Sequence, residues 1–136
     1  MNIPELKPGL SHELVETVTH ELTIQSYDPS LPAVLATPAM IRAMEVAAAR
    51  AVQPRLPAGC LTVGTAIHVE HLAATPPGLR VTVRAVLTEV NGRFLKFAVE
   101  ARDEKELIGR GTVGRAIVEQ SRFETKVRAK TPRPEV

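Results

Sequence analysis

Four side chains able to do chemistry interrupt the hydropathy pattern of the 136-residue chain: Thr37, Glu45, His71 and Arg115. Glu45 follows Ile41 by four residues and precedes Ala48, Ala49 and Val52, so helical spacing puts it on an apolar stripe. An unpaired carboxylate is costly to bury. Two solutions exist: a pocket in which Glu45 does chemistry, or a structural ion pair with an arginine from the sheet. His71 shares its parity with Val63, Thr65, Ile67 and Val69, whereas His68 falls in with Thr62 and Glu70. With the odd residues packed inward, His71 points to the interior as a general base or as a hydrogen-bonded core residue, and His68 points out. Arg115 lies between Val113 and Ile117 on one parity, equally suited to partner Glu45 or to bind a ligand.

Thr37 precedes Pro38 at the start of the helical pattern, so its hydroxyl is expected to cap the helix, with proline as the first helical residue. A helix N-terminus also presents free N–H groups that can hold an oxyanion. Thr37 and Glu45 are eight residues apart, about 12 Å along a helix axis, too far to touch one carbonyl. A two-fold dimer with antiparallel helices would bring the N-terminus of one beside the carboxylate of the other. His12 and His20 have no comparable partner, and no histidine or cysteine spacing matches a metal site.

These residues must be positioned by an α+β arrangement. A first strand is expected over Glu13 to Gln25, with Leu14, Val18, Leu22 and Ile24 on one parity. A Pro-containing loop from Ser26 to Ala36 carries Tyr27 and Leu31, and the helix runs from Thr37 to about Val52. Six alanines and only three charged residues between Ala39 and Val52 imply that this helix is largely buried. Strand two covers Leu61 to Ala73, and Thr75-Pro76-Pro77-Gly78 turns into a third strand with Val81, Val83, Ala85 and Leu87 on one face. Asn91-Gly92 marks a hairpin to a fourth strand with Leu95, Phe97 and Val99, and a fifth runs from Leu107 to about Glu119. Four late strands on short turns cannot form a parallel doubly wound sheet, so an antiparallel sheet of about five strands curled around the helix is expected.

Length suits a single domain, 1–136, with a basic C-terminal tail from about Ser121 that includes Arg122, Lys126, Arg128, Lys130 and Arg133. The formal net charge is only +2, its surplus lies in that tail, and there is no Trp, so no nucleic-acid face is expected. The single Cys60, the lack of a long apolar run and the polar start imply a soluble cytoplasmic protein away from membranes.

At these residues the sequence resembles the fluoroacetyl-CoA thioesterases and their close hot-dog relatives. The resemblance runs from about Val34 to Thr131 and is most specific at Gly64-Thr65-Ala66-Ile67 and at His71-Leu72-Ala73-Ala74-Thr75-Pro76-Pro77-Gly78-Leu79. Met44-Glu45, Gly111-Thr112 to Arg115-Ala116 and Lys126-Val127-Arg128 support it. The resemblance implies a hot-dog fold and acyl-CoA thioester hydrolysis without metal or redox cofactor, and the helix geometry above adds the expectation of a homodimer, possibly a higher assembly. It puts the catalytic set on Thr37, Glu45 and His71 and the acyl pocket on Gly64 and Arg115. Where that family carries a phenylalanine lid this chain has Leu31, which points to a short, nonfluorinated acyl group. The alternatives are a non-catalytic hot-dog protein binding an acyl-CoA or hydrophobic ligand, which has no need of all three residues, and a hot-dog hydratase, whose acid and histidine pair is not found here. The basic tail is expected to be solvated, with a contact to coenzyme A phosphates as the other reading.

Overall fold

A computed structural model describes residues 3–132. Five strands form one antiparallel sheet: β1 (Ser11–Thr17), β2 (Cys60–His71), β3 (Arg80–Asn91), β4 (Phe94–Arg102) and β5 (Leu107–Glu119). They are ordered β1-β3-β4-β5-β2, so β2 is a twelve-residue edge strand. After β1 come a 3-10 turn (His20–Leu22) and a one-turn helix, α1 (Ile24–Tyr27), then the 16-residue α2 (Thr37–Val52). A last helix, α3 (Gln120–Arg128), follows β5 directly.

The sheet wraps α2, which touches all five strands. Met40, Ala43, Met44, Ala47, Ala48, Ala51 and Val52 are buried against Val81, Val83, Ala85, Leu87, Leu95, Phe97, Val99, Val113 and Ile117, in the alternation each strand displays. The many alanines of α2 let its axis approach the sheet closely, and Gly109 completes the fit: a Cβ there would lie 2.5 Å from Met40 Sδ. The Asn91-Gly92 hairpin forms with Gly92 at φ +61°, the left-handed conformation that a tight turn requires. This is the expected hot-dog architecture.

Three expectations need correction. The first strand ends at Thr17, not Gln25, because local side-chain bonds turn the chain. Thr23 Oγ1 donates to the His20 carbonyl at 2.6 Å and accepts the Ser26 N–H at 3.3 Å. Second, α2 is buried on one face only; Ile41, Glu45, Val46 and Ala49 are half-buried and Arg42 and Arg50 exposed. Third, the tail starts as a helix, because the Gln120 N–H bonds the Gly59 carbonyl at 2.9 Å and an Arg128–Glu124 pair spans one turn. Its basic side chains up to Lys130 are exposed, and Arg133 lies outside the described residues. No helix among the described residues is long and apolar enough to cross a membrane.

Candidate active site

Thr37 is the first residue of α2 and Ala36 is its cap, so the threonine hydroxyl caps nothing, contrary to expectation. It is engaged elsewhere: Thr37 Oγ1 lies 2.7 Å from His71 Nδ1, across the gap between the helix start and the end of β2. Fewer N–H groups are free at the helix start than its position implies. Pro38 has none, and those of Ala39 and Met40 both reach the Ala36 carbonyl, at 3.0 and 3.1 Å. The Thr37 N–H has no acceptor among the described residues, which makes it the donor available to a ligand oxygen.

His71 is half-buried, with Nε2 fully covered and without a hydrogen-bond partner. Burial pushes its pKa below the ordinary 6.5, and the Ala73 backbone beside the ring works in the opposite direction. The neutral imidazole required of a base is therefore the ring's state at neutral pH. Folded His71 takes up its proton at lower pH than the unfolded chain does. Its contribution to stability is thus complete above pH 6.5 and is lost as the pH falls through the depressed value. Denaturation midpoints that decline between pH 7 and 5 by less in a His71→Gln variant are the expected outcome, read by urea titration.

Glu45 and Arg115 form the second half of the candidate site. Arg115 Nη1 donates to Glu45 Oε2 at 3.2 Å, Nε to Thr62 Oγ1 at 2.8 Å and Nη2 to the Thr62 carbonyl at 2.8 Å. The Arg115 side chain is 9% exposed and that of Glu45 36%, so the guanidinium is an anchor inside the sheet while the carboxylate faces the surface. Desolvation lowers the Arg115 pKa and the Glu45 charge opposes it. Of the two roles open to Arg115, holding Glu45 is the one the geometry displays. Gly64 lies against this carboxylate: a Cβ there would be 2.6 Å from Glu45 Oε2.

Parity alone puts Thr62 and Gly64 outward with His68, whereas the resemblance put Gly64 in the acyl pocket, and the structure places both on the helix side. A bulge reverses the alternation. Thr62 pairs with Ile117 and Gly64 with Arg115, the register slips at Thr65, and from Ala66 onward it is Ile67, Val69 and His71 that pair with Val113, Gly111 and Gly109. Gly64 and His71 therefore face α2 together although their numbers differ in parity. The glycine inside a strand was the available signal, as bulges favour such positions.

Two grooves result. One, of about 790 Å³, is lined by Thr37, Pro38, Ile41, Glu45, Val46 and Arg115 among others. The other, of about 560 Å³, holds Thr37, His71, Ile24, Val34 and Leu72. Thr37 and Pro38 border both, so the helix start separates the Thr37–His71 pair from the Glu45–Arg115 pair. Leu31 is 40% exposed in its loop and lines neither groove. Among the described residues no cluster of three or more His, Cys, Asp or Glu side chains could hold a metal.

Residues 18–121 match the family model for the fluoroacetyl-CoA-specific thioesterases. The chain belongs to that family. It is an acyl-CoA thioesterase, a thioester hydrolase of the hot-dog fold. It is 46% identical over 117 residues to the fluoroacetyl-CoA thioesterase of Streptantibioticus cattleyicolor, covering 86% of this chain and 84% of that one. A solved fluoroacetyl-CoA thioesterase variant in complex with acetyl-CoA superposes with a TM-score of 0.89 at 41% identity, over 93% of this chain and 100% of the other. A thioesterase superfamily member from Thermus thermophilus gives 0.84 at 31%, over 94% and 93%.

Proposed function

We propose that this thioesterase hydrolyses a short, nonfluorinated acyl-CoA in a site completed by a second copy of the chain, with Thr37 and His71 from one protomer and Glu45 from its partner. The observation that carries this reading is the 2.7 Å contact between Thr37 Oγ1 and His71 Nδ1 beside the free Thr37 N–H. The acyl carbonyl oxygen takes that N–H as negative charge develops. His71 Nδ1 removes the Thr37 proton, the oxygen attacks the carbonyl carbon, and the C–S bond breaks as the CoA thiolate takes up the proton. Water then cleaves the ester. Nε2 is covered within its own protomer, so a partner carboxylate cannot orient the ring from that side. Glu45 acts instead from the substrate side, as base toward the hydrolytic water, held by Arg115. No step calls for a metal or redox cofactor.

Two features support the dimer. Among the described residues β2 is a twelve-residue edge with no strand on its outer side and with Ile67 37% exposed, and the groove beside Glu45 is lined by the open apolar face of α2. Free Cys60 fits a reducing cytoplasm. Gly64 and Arg115 are assigned to the acyl end of the site, and the nonfluorinated substrate is proposed because Leu31, which lines neither groove, stands in place of a bulkier aromatic lid. Thiol release from a panel of acyl-CoA esters tests the substrate. Acetyl- and propionyl-CoA are expected to turn over within about two hundredfold of fluoroacetyl-CoA, the upper end of what one apolar contact provides. A preference for the fluorinated ester of a thousandfold or more would overturn the assignment.

A further inference from the structure

Four residues beyond His71 lies a threonine for which the reaction has no direct use. Thr75 is fully buried, although it sits in the loop between β2 and β3, and its two oxygens hold two other segments. Its carbonyl accepts the Leu35 N–H at 2.8 Å, two residues before Thr37. Its hydroxyl donates to Asp103 Oδ2 at 2.9 Å. Asp103 is itself fastened to the β4–β5 turn: Oδ1 accepts the N–H groups of Lys105 at 2.7 Å and Glu106 at 2.9 Å. Burial alone would raise the Asp103 pKa, but hydrogen bonds from Lys105, Thr75 and Glu106 and the Lys105 charge outweigh it, and the carboxyl stays ionised. Next to this anchor the Ile108 carbonyl takes the N–H of Leu72 at 2.7 Å, one residue past His71. Pro76 confines Thr75 to extended backbone. The exit from β2 and the approach to α2 are thus tied to the same turn.

We infer that Thr75 and Asp103 are positioning residues for the reaction, fixing the two segments that carry His71 and Thr37 so that hydroxyl and imidazole stay within hydrogen-bond reach. The inference rests on the reading of Thr37 and His71 as the reacting pair. Neither Thr75 nor Asp103 touches substrate; each acts through the backbone at Leu35 and the loop after His71.

Thr75→Val keeps the shape and removes the hydroxyl. With acetyl-CoA as substrate, kcat is expected to fall about ten- to hundredfold, the effect of displacing a reacting group by roughly 1 Å. KM should change less than about twofold, since ground-state binding is untouched. The acid limb of the kcat/KM profile should move up toward the ordinary histidine value as water reaches the ring, and Thr75→Ser should restore both. In a Thr37→Ala background the added Thr75→Val change should cost less than about twofold, because the pair it positions is already broken. Independent, multiplying losses in that double variant, or native kcat in Thr75→Val, would overturn the inference. Should Thr75→Val fail to fold, Asp103→Asn carries the same comparisons. Native turnover in both Thr37→Ala and His71→Ala would instead remove the catalytic reading on which the inference stands.

Discussion

Replacing His71 by alanine is expected to lower kcat by about two to four powers of ten, the range a positioned general base supplies. The imidazole has one ring nitrogen exposed to chemistry, Nδ1, and that atom is 2.7 Å from the Thr37 hydroxyl. Among the described residues of one protomer no other base stands near Thr37, since Glu45 of the same chain is held by Arg115 on the far side of the helix start, and the partner's Glu45 is assigned to the later water step rather than to the Thr37 proton. The fold should tolerate the change. His71 lies at the last position of an edge strand opposite Gly109, so the vacated space opens to the groove rather than to the core. KM is therefore expected to stay near native, and the acid limb of the pH profile to vanish with the ring. Steady-state kinetics of thiol release on a variant with native circular dichroism measures this. A folded His71→Ala enzyme with turnover within threefold of native would remove His71 as the base.

The second large effect comes from mixing two inactive proteins. Glu45→Gln and His71→Ala are each expected to be crippled about a hundredfold or more, yet random reassociation of equal amounts should restore roughly a quarter of native activity. Half of the dimers are then mixed. In each mixed dimer one site combines native Thr37 and His71 from the first variant with native Glu45 from the second, while the other site carries both lesions. A site drawn from a single protomer would give no recovery, because every protomer lacks one member. The geometry favours recovery: about 12 Å of helix separates Thr37 from Glu45, and each pair opens into its own groove. Denaturation and refolding together, followed by thiol release and sizing of the products, distinguishes the outcomes. Activity of a fully monomeric form would exclude the shared site.

The interplay of Gly64, Glu45 and Arg115 shows how a strand and a helix divide a task. Arg115 brings a permanent charge into the sheet, with Thr62 supplying two acceptors for it. Glu45 takes a third N–H on its way to the surface, and the glycine at position 64 leaves space for the carboxylate where it stands. Removing Glu45 would leave the Arg115 charge inside the sheet with Thr62 as its remaining partner, so this cluster supports the fold as well as holding the candidate carboxylate in place.

Alternation in β3, β4 and β5, the alanine-rich span from Thr37 to Val52 and the Asn91-Gly92 turn determined from sequence alone that a helix would be wrapped by an antiparallel sheet. Each depends on local spacing, and local spacing is what a chain displays directly. The candidates Thr37, Glu45 and His71 were likewise legible, because an ionisable or hydroxyl group out of pattern is visible without coordinates. Three matters needed the tertiary structure. The bulge at Thr65 turned Thr62 and Gly64 to the helix side, since one extra residue inverts every later side chain and hydropathy does not record where it is inserted. The Thr37 hydroxyl found His71 instead of the helix N–H groups, a choice made by a contact across 34 residues. Arg115 became the holder of Glu45, and Thr75 met Asp103, for the same reason: a polar side chain's partner depends on which strands become neighbours, and that is decided only when the whole sheet closes on its helix.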